Sequence, residues 1–240
     1  MIKILGIGHS HIGSLIFASR DFPRDDVSFE FINLLDPRYL GEDNTIFFDA
    51  IREDVLEKAK DAAAVVLSLS GNEHHVLGMI PSDRPFDFCL PEHGEDTVFI
   101  NHEMLPAGLV RGTLELLTTK RYYEFFSGLF NVQTYAISPP PPILDPGHIA
   151  AYPGVYKDSI AERGISPPWF RLKLWQLYCT IAREWSVEAG FRFVEVPECN
   201  VGPEGFLHHA ALLNDPTHAN AWYGRNMVDH LLDQMESVSA

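Results

Sequence analysis

Apolar runs of strand length recur along the chain at residues 2–7, 27–35, 63–69, 132–137 and 191–196. They are of strand length, and five strands are expected. The intervening segments carry helical spacing instead. Phe47, Ile51, Val55 and Leu56 step by three or four, and residues 109–129 repeat the pattern through Leu114, Leu117, Tyr122, Phe125 and Phe126. Ser166-Pro167-Pro168 supplies a cap residue and first-turn prolines for the longest predicted helix, whose buried stripe is Phe170, Leu174, Leu177, Ile181 and Trp185. Gly190 is placed to stop it. A last helix over 219–235 would bury Val228, Leu231, Leu232 and Met235.

Alternating strands and helices imply a mainly parallel sheet covered on both faces through right-handed crossovers, an α/β three-layer α/β/α sandwich with five strands. No repeat, linker or break in composition divides the sequence, so residues 1–240 read as a single domain. Two stretches are too long for the short connections of such a fold. Residues 74–106, and 139–165 with its Pro139-Pro140-Pro141-Pro142 run, read as irregular loops of the kind that form lids or binding walls.

Composition narrows the function. With 46% hydrophobic and 21% charged residues the chain can bury a core, which excludes a disordered polypeptide. The formal net charge of −15 is offset by no cluster of Lys or Arg, so no nucleic-acid partner is expected. No stretch reaches the roughly 18–20 apolar residues of a membrane helix, and the glycine-broken start is too short for a secretory core, so a cytoplasmic protein without a membrane partner is expected. Cys89, Cys179 and Cys199 are widely spaced and odd in number, which fits reduced thiols. The pairs His9-x-His11, His74-His75 and His208-His209, with Glu73 nearby, raise a metal-dependent hydrolase as an alternative, although no HExxH is present. Gly6-x-Gly8-x-x-His11 lacks the third glycine of a dinucleotide fingerprint.

Ligands of open parallel sheets bind beyond the carboxyl ends of the strands. There the sequence places Gly8-His9-Ser10-His11 after the first strand, Ser70-Gly71-Asn72-Glu73 after the third, and Asp215-Pro216-Thr217-His218 before the last helix. A serine, an imidazole to take its proton and a carboxylate to fix that imidazole are the parts of an acyl-transfer site. Ser10, His218 and Asp215 fill those roles. The oxyanion requires donors already in place, which the backbone N–H of Ser10, an N–H from a glycine turn and the Asn72 amide can supply. Each residue has a plainer reading: Ser10 and His9 as the turn and cap of the first helix, Asp215 as a cap with His218 in the first turn, and Asn72 as a turn residue.

These blocks, in order, resemble the first, third and fifth blocks of the SGNH hydrolases, also called GDSL-like lipases and esterases. The resemblance implies a flavodoxin-like sheet of order 2-1-3-4-5, Ser10 as nucleophile, His218 as base, Asp215 as its partner, and an oxyanion hole of Ser10, Asn72 and a second-block glycine. Gly41 is assigned to that block by spacing. His9 stands where the family has Asp. The expectation is a serine esterase that needs no cofactor or metal and acts on an O-acyl ester of a carbohydrate or another small polar alcohol. A non-catalytic binding protein on the same fold is the other alternative.

Overall fold

The computed structural model describes residues 1–43, 45–90, 102–118 and 120–239. Strand β1 (Ile2–Gly8) pairs in parallel with β2 (Val27–Asn33) on one side and β3 (Ala64–Ser68) on the other. Beyond β3 lie β6 (Gln133–Ile137) and then β7 (Arg192–Val194), both parallel. The sheet order β2-β1-β3-β6-β7 is the expected 2-1-3-4-5 arrangement of the five main strands. All five lie within about two residues of the apolar runs, the accuracy sequence patterns allow.

Alternation along the strands builds two cores. Leu5, Ile7, Val65, Leu67 and Ala136 face one side, where they meet α2 (Phe48–Ala59), α4 (Ala107–Leu117), α5 (Lys120–Phe126) and α8 (Pro168–Glu188). Ile4, Val66, Tyr135, Ile137 and Val194 face the other, against α1 (Gly13–Asp21) and α9 (Ala221–Ser239). With both faces covered, the central strand β3 is buried at every position, whereas the edge strands β2 and β7 keep polar residues.

Three expectations change in detail. The helical pattern at 109–129 is two helices, because Thr118 turns to an extended conformation and its hydroxyl donates to the Leu114 carbonyl, closing the last turn of α4. The 74–106 stretch opens with a short helix, α3 (Glu73–Gly78), and contains the strand pair β4 (Phe86–Asp87) and β5 (Glu103–Met104); its residues 91–101 lie outside the described ones. The 139–165 stretch folds into α6 (Pro146–Ala151) and α7 (Lys157–Arg163). These short elements lack a strong pattern of their own and are held by tertiary contact, as where Leu174 of α8 packs so close to Gly78 that a Cβ there would lie 2.4 Å from it.

Two glycines let the site assemble. A Cβ on Gly8 would lie 2.7 Å from Ser68, so only glycine lets the end of β1 sit beside the end of β3. On Gly224 a Cβ would lie 1.9 Å from the Ser14 carbonyl oxygen, so α9 crosses α1 backbone against backbone. Gly224→Ala must separate the helices, and a loss of at least the ~1–3 kcal/mol typical of overpacking is expected. A urea unfolding midpoint equal to wild type would refute this close crossing.

Candidate active site

Ser10 lies two residues beyond β1, at the start of a 3-10 turn (Ser10–Ile12) that runs into α1. The caps of the turn and of α1 are His9 and Ile12, so Ser10 caps neither. His9 is tied down: its backbone N–H donates to the Ser68 carbonyl, Nδ1 lies 3.1 Å from the Leu69 carbonyl, and its ring packs edge-on against Tyr122. Burial lowers its pKa despite that backbone bond.

The segment before α9 is a closed loop, with Leu212 and Ala219 paired at its base and Asn220 bonded through its side-chain amide to the Ala210 and Leu212 carbonyls. The Asn220 side-chain oxygen also accepts from the N–H groups of Trp222 and Tyr223. Asn220 therefore caps α9, and Asp215 and His218 are not spent on that task. Asp215 Oδ1 instead accepts from the Thr217 N–H at 2.8 Å, the Thr217 hydroxyl at 3.1 Å, the His218 N–H at 2.7 Å and His218 Nδ1 at 2.7 Å. Burial raises the Asp215 carboxyl, but the bonds from His218 and Thr217 outweigh it and hold the group well below the usual carboxylate range. An ionised Asp215 fixes the proton on Nδ1, leaving Nε2 as the acceptor, and no group bonds that buried nitrogen.

Ser10 and His218 line one cavity of about 240 Å³ with His11, Gly13, Ser14, Phe17, Leu213 and Ala219. The two come from opposite ends of the sequence and reach one cavity because α1 and α9 cross at Gly224. The 139–165 region supports the other wall: His148 Nε2 lies 2.9 Å from the Leu213 carbonyl, and Pro216 packs on Gly154. If His218 must hold its proton on Nδ1, Asp215→Asn should lower kcat by on the order of 10²–10⁴, since the amide also stabilises the wrong tautomer. An unchanged kcat would remove Asp215 from the site chemistry.

Asn72 occupies the N-cap position of α3, yet its side chain makes no capping bond and its Oδ1 is buried without a partner. The turn that carries it is clamped from α8. The Gly71 N–H donates to the Tyr178 hydroxyl at 3.0 Å, and that hydroxyl donates to Glu73 at 2.6 Å. Burial raises the Glu73 carboxyl against the opposing bond from Tyr178.

Gly41 is placed differently from expectation. Its N–H donates to the Thr45 carbonyl at 2.8 Å in a turn closed by the Leu40–Ile46 bridge, so it is not available to an oxyanion. The turn needs that backbone bond for its own closure. The histidine pairs do not assemble a metal site: among the described residues, no three His, Cys, Asp or Glu side chains are placed to share an ion. His208 accepts from the Ala210 N–H and stacks on Trp222, and His74 stacks on Tyr178. Two residues of the site were given no part in the acyl-transfer reading: His11, which the sequence offered only as half of a histidine pair, and Tyr178. Gly-His-Ser-His hinted at the first; nothing local marks a tyrosine inside a helix stripe as the clamp of a distant turn.

No protein-family model matches the sequence, and no curated protein matches it. Solved structures similar to the chain include a GDSL-like lipase from Bacteroides thetaiotaomicron VPI-5482, at 14% identity and TM-score 0.49 over 99% of this chain and 89% of that one. A carbohydrate acetylesterase from Sinorhizobium meliloti has 10% identity and TM-score 0.47 over 99% and 100% of the two chains. The periplasmic domain of a lipopolysaccharide acetyltransferase from Salmonella ser. Paratyphi A has 12% identity and TM-score 0.47 over 97% and 83%.

Proposed function

We propose that the protein is a serine esterase that cleaves short O-acyl esters through a Ser10 acyl-enzyme. The observation that carries this reading is the His218 imidazole, held by Asp215 through Nδ1, with an unbonded Nε2 in the same cavity as Ser10. His218 takes the Ser10 proton as the hydroxyl attacks the ester carbonyl, then returns it to the leaving alkoxide. Water, deprotonated by the same imidazole, releases the acid. The Ser10 N–H and the Asn72 amide meet the oxyanion; Gly41 has no part in it.

The cavity supports a short acyl group. Phe17, Leu213 and Ala219 give it apolar walls, and its volume of about 240 Å³ leaves little room for a long chain. The alcohol side is a carbohydrate or another small polar alcohol, since a net charge of −15 opposes approach to an anionic lipid surface. Among the described residues no helix is long and apolar enough to cross a membrane.

Intact-mass analysis after treatment with a fluorophosphonate tests this. A single adduct located on Ser10, with turnover of p-nitrophenyl acetate untouched by EDTA, is the expected result. An adduct on Ser14 alone, or activity lost to the chelator and restored by zinc, would overturn the assignment, the second in favour of metal-assisted hydrolysis.

A further inference from the structure

An imidazole directly after the proposed nucleophile is buried and idle in the chemistry described so far. His11 is 4% exposed, lines the cavity beside Ser10, and has its ring centroid 4.9 Å from that of His218. It also lies against the Asn72 side chain and the Gly71 backbone, but neither of its ring nitrogens completes a hydrogen bond of good geometry. Buried polar atoms are seldom left that way, and a cluster of them in one place calls for a functional explanation. Burial, reinforced by His218, lowers the His11 pKa to about 3, so the ring is neutral at working pH and carries one N–H and one bare nitrogen.

The acceptor opposite is Asn72 Oδ1, buried and without a partner. This matters because an amide side chain has two faces. An Asn72 whose Nδ2 points at the reacting carbonyl stabilises the oxyanion; the same residue rotated by half a turn presents an oxygen lone pair to a developing negative charge and opposes it. The Tyr178 hydroxyl fixes the backbone of the turn through Gly71 and Glu73 but does not reach the Asn72 amide. Something else must choose between the two orientations. His74, the next buried imidazole of this layer, stacks on Tyr178 and lies tilted against His75.

We propose that His11 is a positioning residue for the oxyanion hole: its neutral imidazole donates one N–H to Asn72 Oδ1 and so turns the Asn72 NH₂ toward the carbonyl attacked by Ser10. The inference rests on the serine-esterase reading above. The bond tightens when the substrate oxygen draws Nδ2 into the cavity, because catalytic hydrogen bonds are often long before substrate is present. No proton is transferred in the step; His11 keeps its N–H throughout.

The test is a double-mutant cycle read on p-nitrophenyl acetate, with kcat normalised to the fraction of protein that a fluorophosphonate labels, so that poorly folded protein does not enter. His11→Leu removes the donor at similar bulk and should lower normalised kcat about 10- to 100-fold with KM within about threefold, a part of the 10²–10³ that an oxyanion donor contributes. Asn72→Ala should cost more. The double variant should be no slower than Asn72→Ala alone, since His11 acts only through that amide. His11→Gln restores a side-chain N–H and should recover most of the loss. Losses that multiply in the double variant, a His11→Leu enzyme with wild-type kcat, or a His11→Gln enzyme as slow as His11→Leu would each overturn the proposal. Failure of the wild-type protein to label at Ser10 would overturn the esterase reading together with it, so the two failures are distinguishable.

Discussion

Ser10→Ala is expected to lower kcat on short acyl esters by on the order of 10⁶ while leaving the unfolding midpoint unchanged. The size follows from the division of labour in the site. Without the hydroxyl no acyl-enzyme forms, and what remains is the positioning of water by His218 and the donors around the carbonyl, worth far less than the covalent route. The neutrality in stability follows from the local structure, since Ser10 is half-buried and caps neither its own turn nor α1. Burst kinetics on p-nitrophenyl acetate together with a urea titration measure both quantities. Full activity in the alanine variant would remove the nucleophile, and a large drop in midpoint would return Ser10 to a structural role.

The protein should also lose much of its stability between about pH 6.5 and pH 5. His11 and His74 are buried, and burial is the main cause that takes each pKa down to about 3. Burial likewise takes His75 well down and lowers His9. In the unfolded chain an imidazole titrates near ~6.5. The folded state thus binds fewer protons than the unfolded state below that pH, and acid pulls the equilibrium toward unfolding. The contribution of each neutral imidazole is whole above pH ~6.5 and drains as the pH falls toward about 3. By pH 5 a single such group costs roughly 2 kcal/mol, so His11 and His74 together remove about 4 kcal/mol from a total that for most domains is ~5–15 kcal/mol. Urea midpoints at pH 7.5 and 5.0 give the slope directly, and His74→Phe should flatten it. Equal midpoints at the two pH values would show that these imidazoles are protonated in the fold.

The same burial links stability to the site. His11 touches the proposed oxyanion turn and the proposed base at once, so the expected acid unfolding would act on the layer that carries the proposed site.

What the sequence determined by itself is the architecture. Five apolar runs, each bounded by polar turns and separated by helical stripes, leave a parallel sheet with two covered faces as the arrangement that buries them all, and the sheet order agrees with the family resemblance. The candidate site residues were chosen by position, because Ser10, Asn72 and the Asp215–His218 pair each sit at a strand end or helix entrance, where such folds put ligands. Capping roles could not be read from the sequence. Asp215 and Asn220 are both good caps, and only the fold shows that Asn220 takes α9 while Asp215 is left for His218. Gly41 failed for a related reason: spacing locates a residue near a strand end but does not say where its N–H points, and a local turn claimed it. His11, Tyr178 and the close crossing at Gly224 depend on contacts between residues far apart in the chain. Periodicity records which face of an element is buried, not what that face touches, and so these were for the tertiary structure to decide.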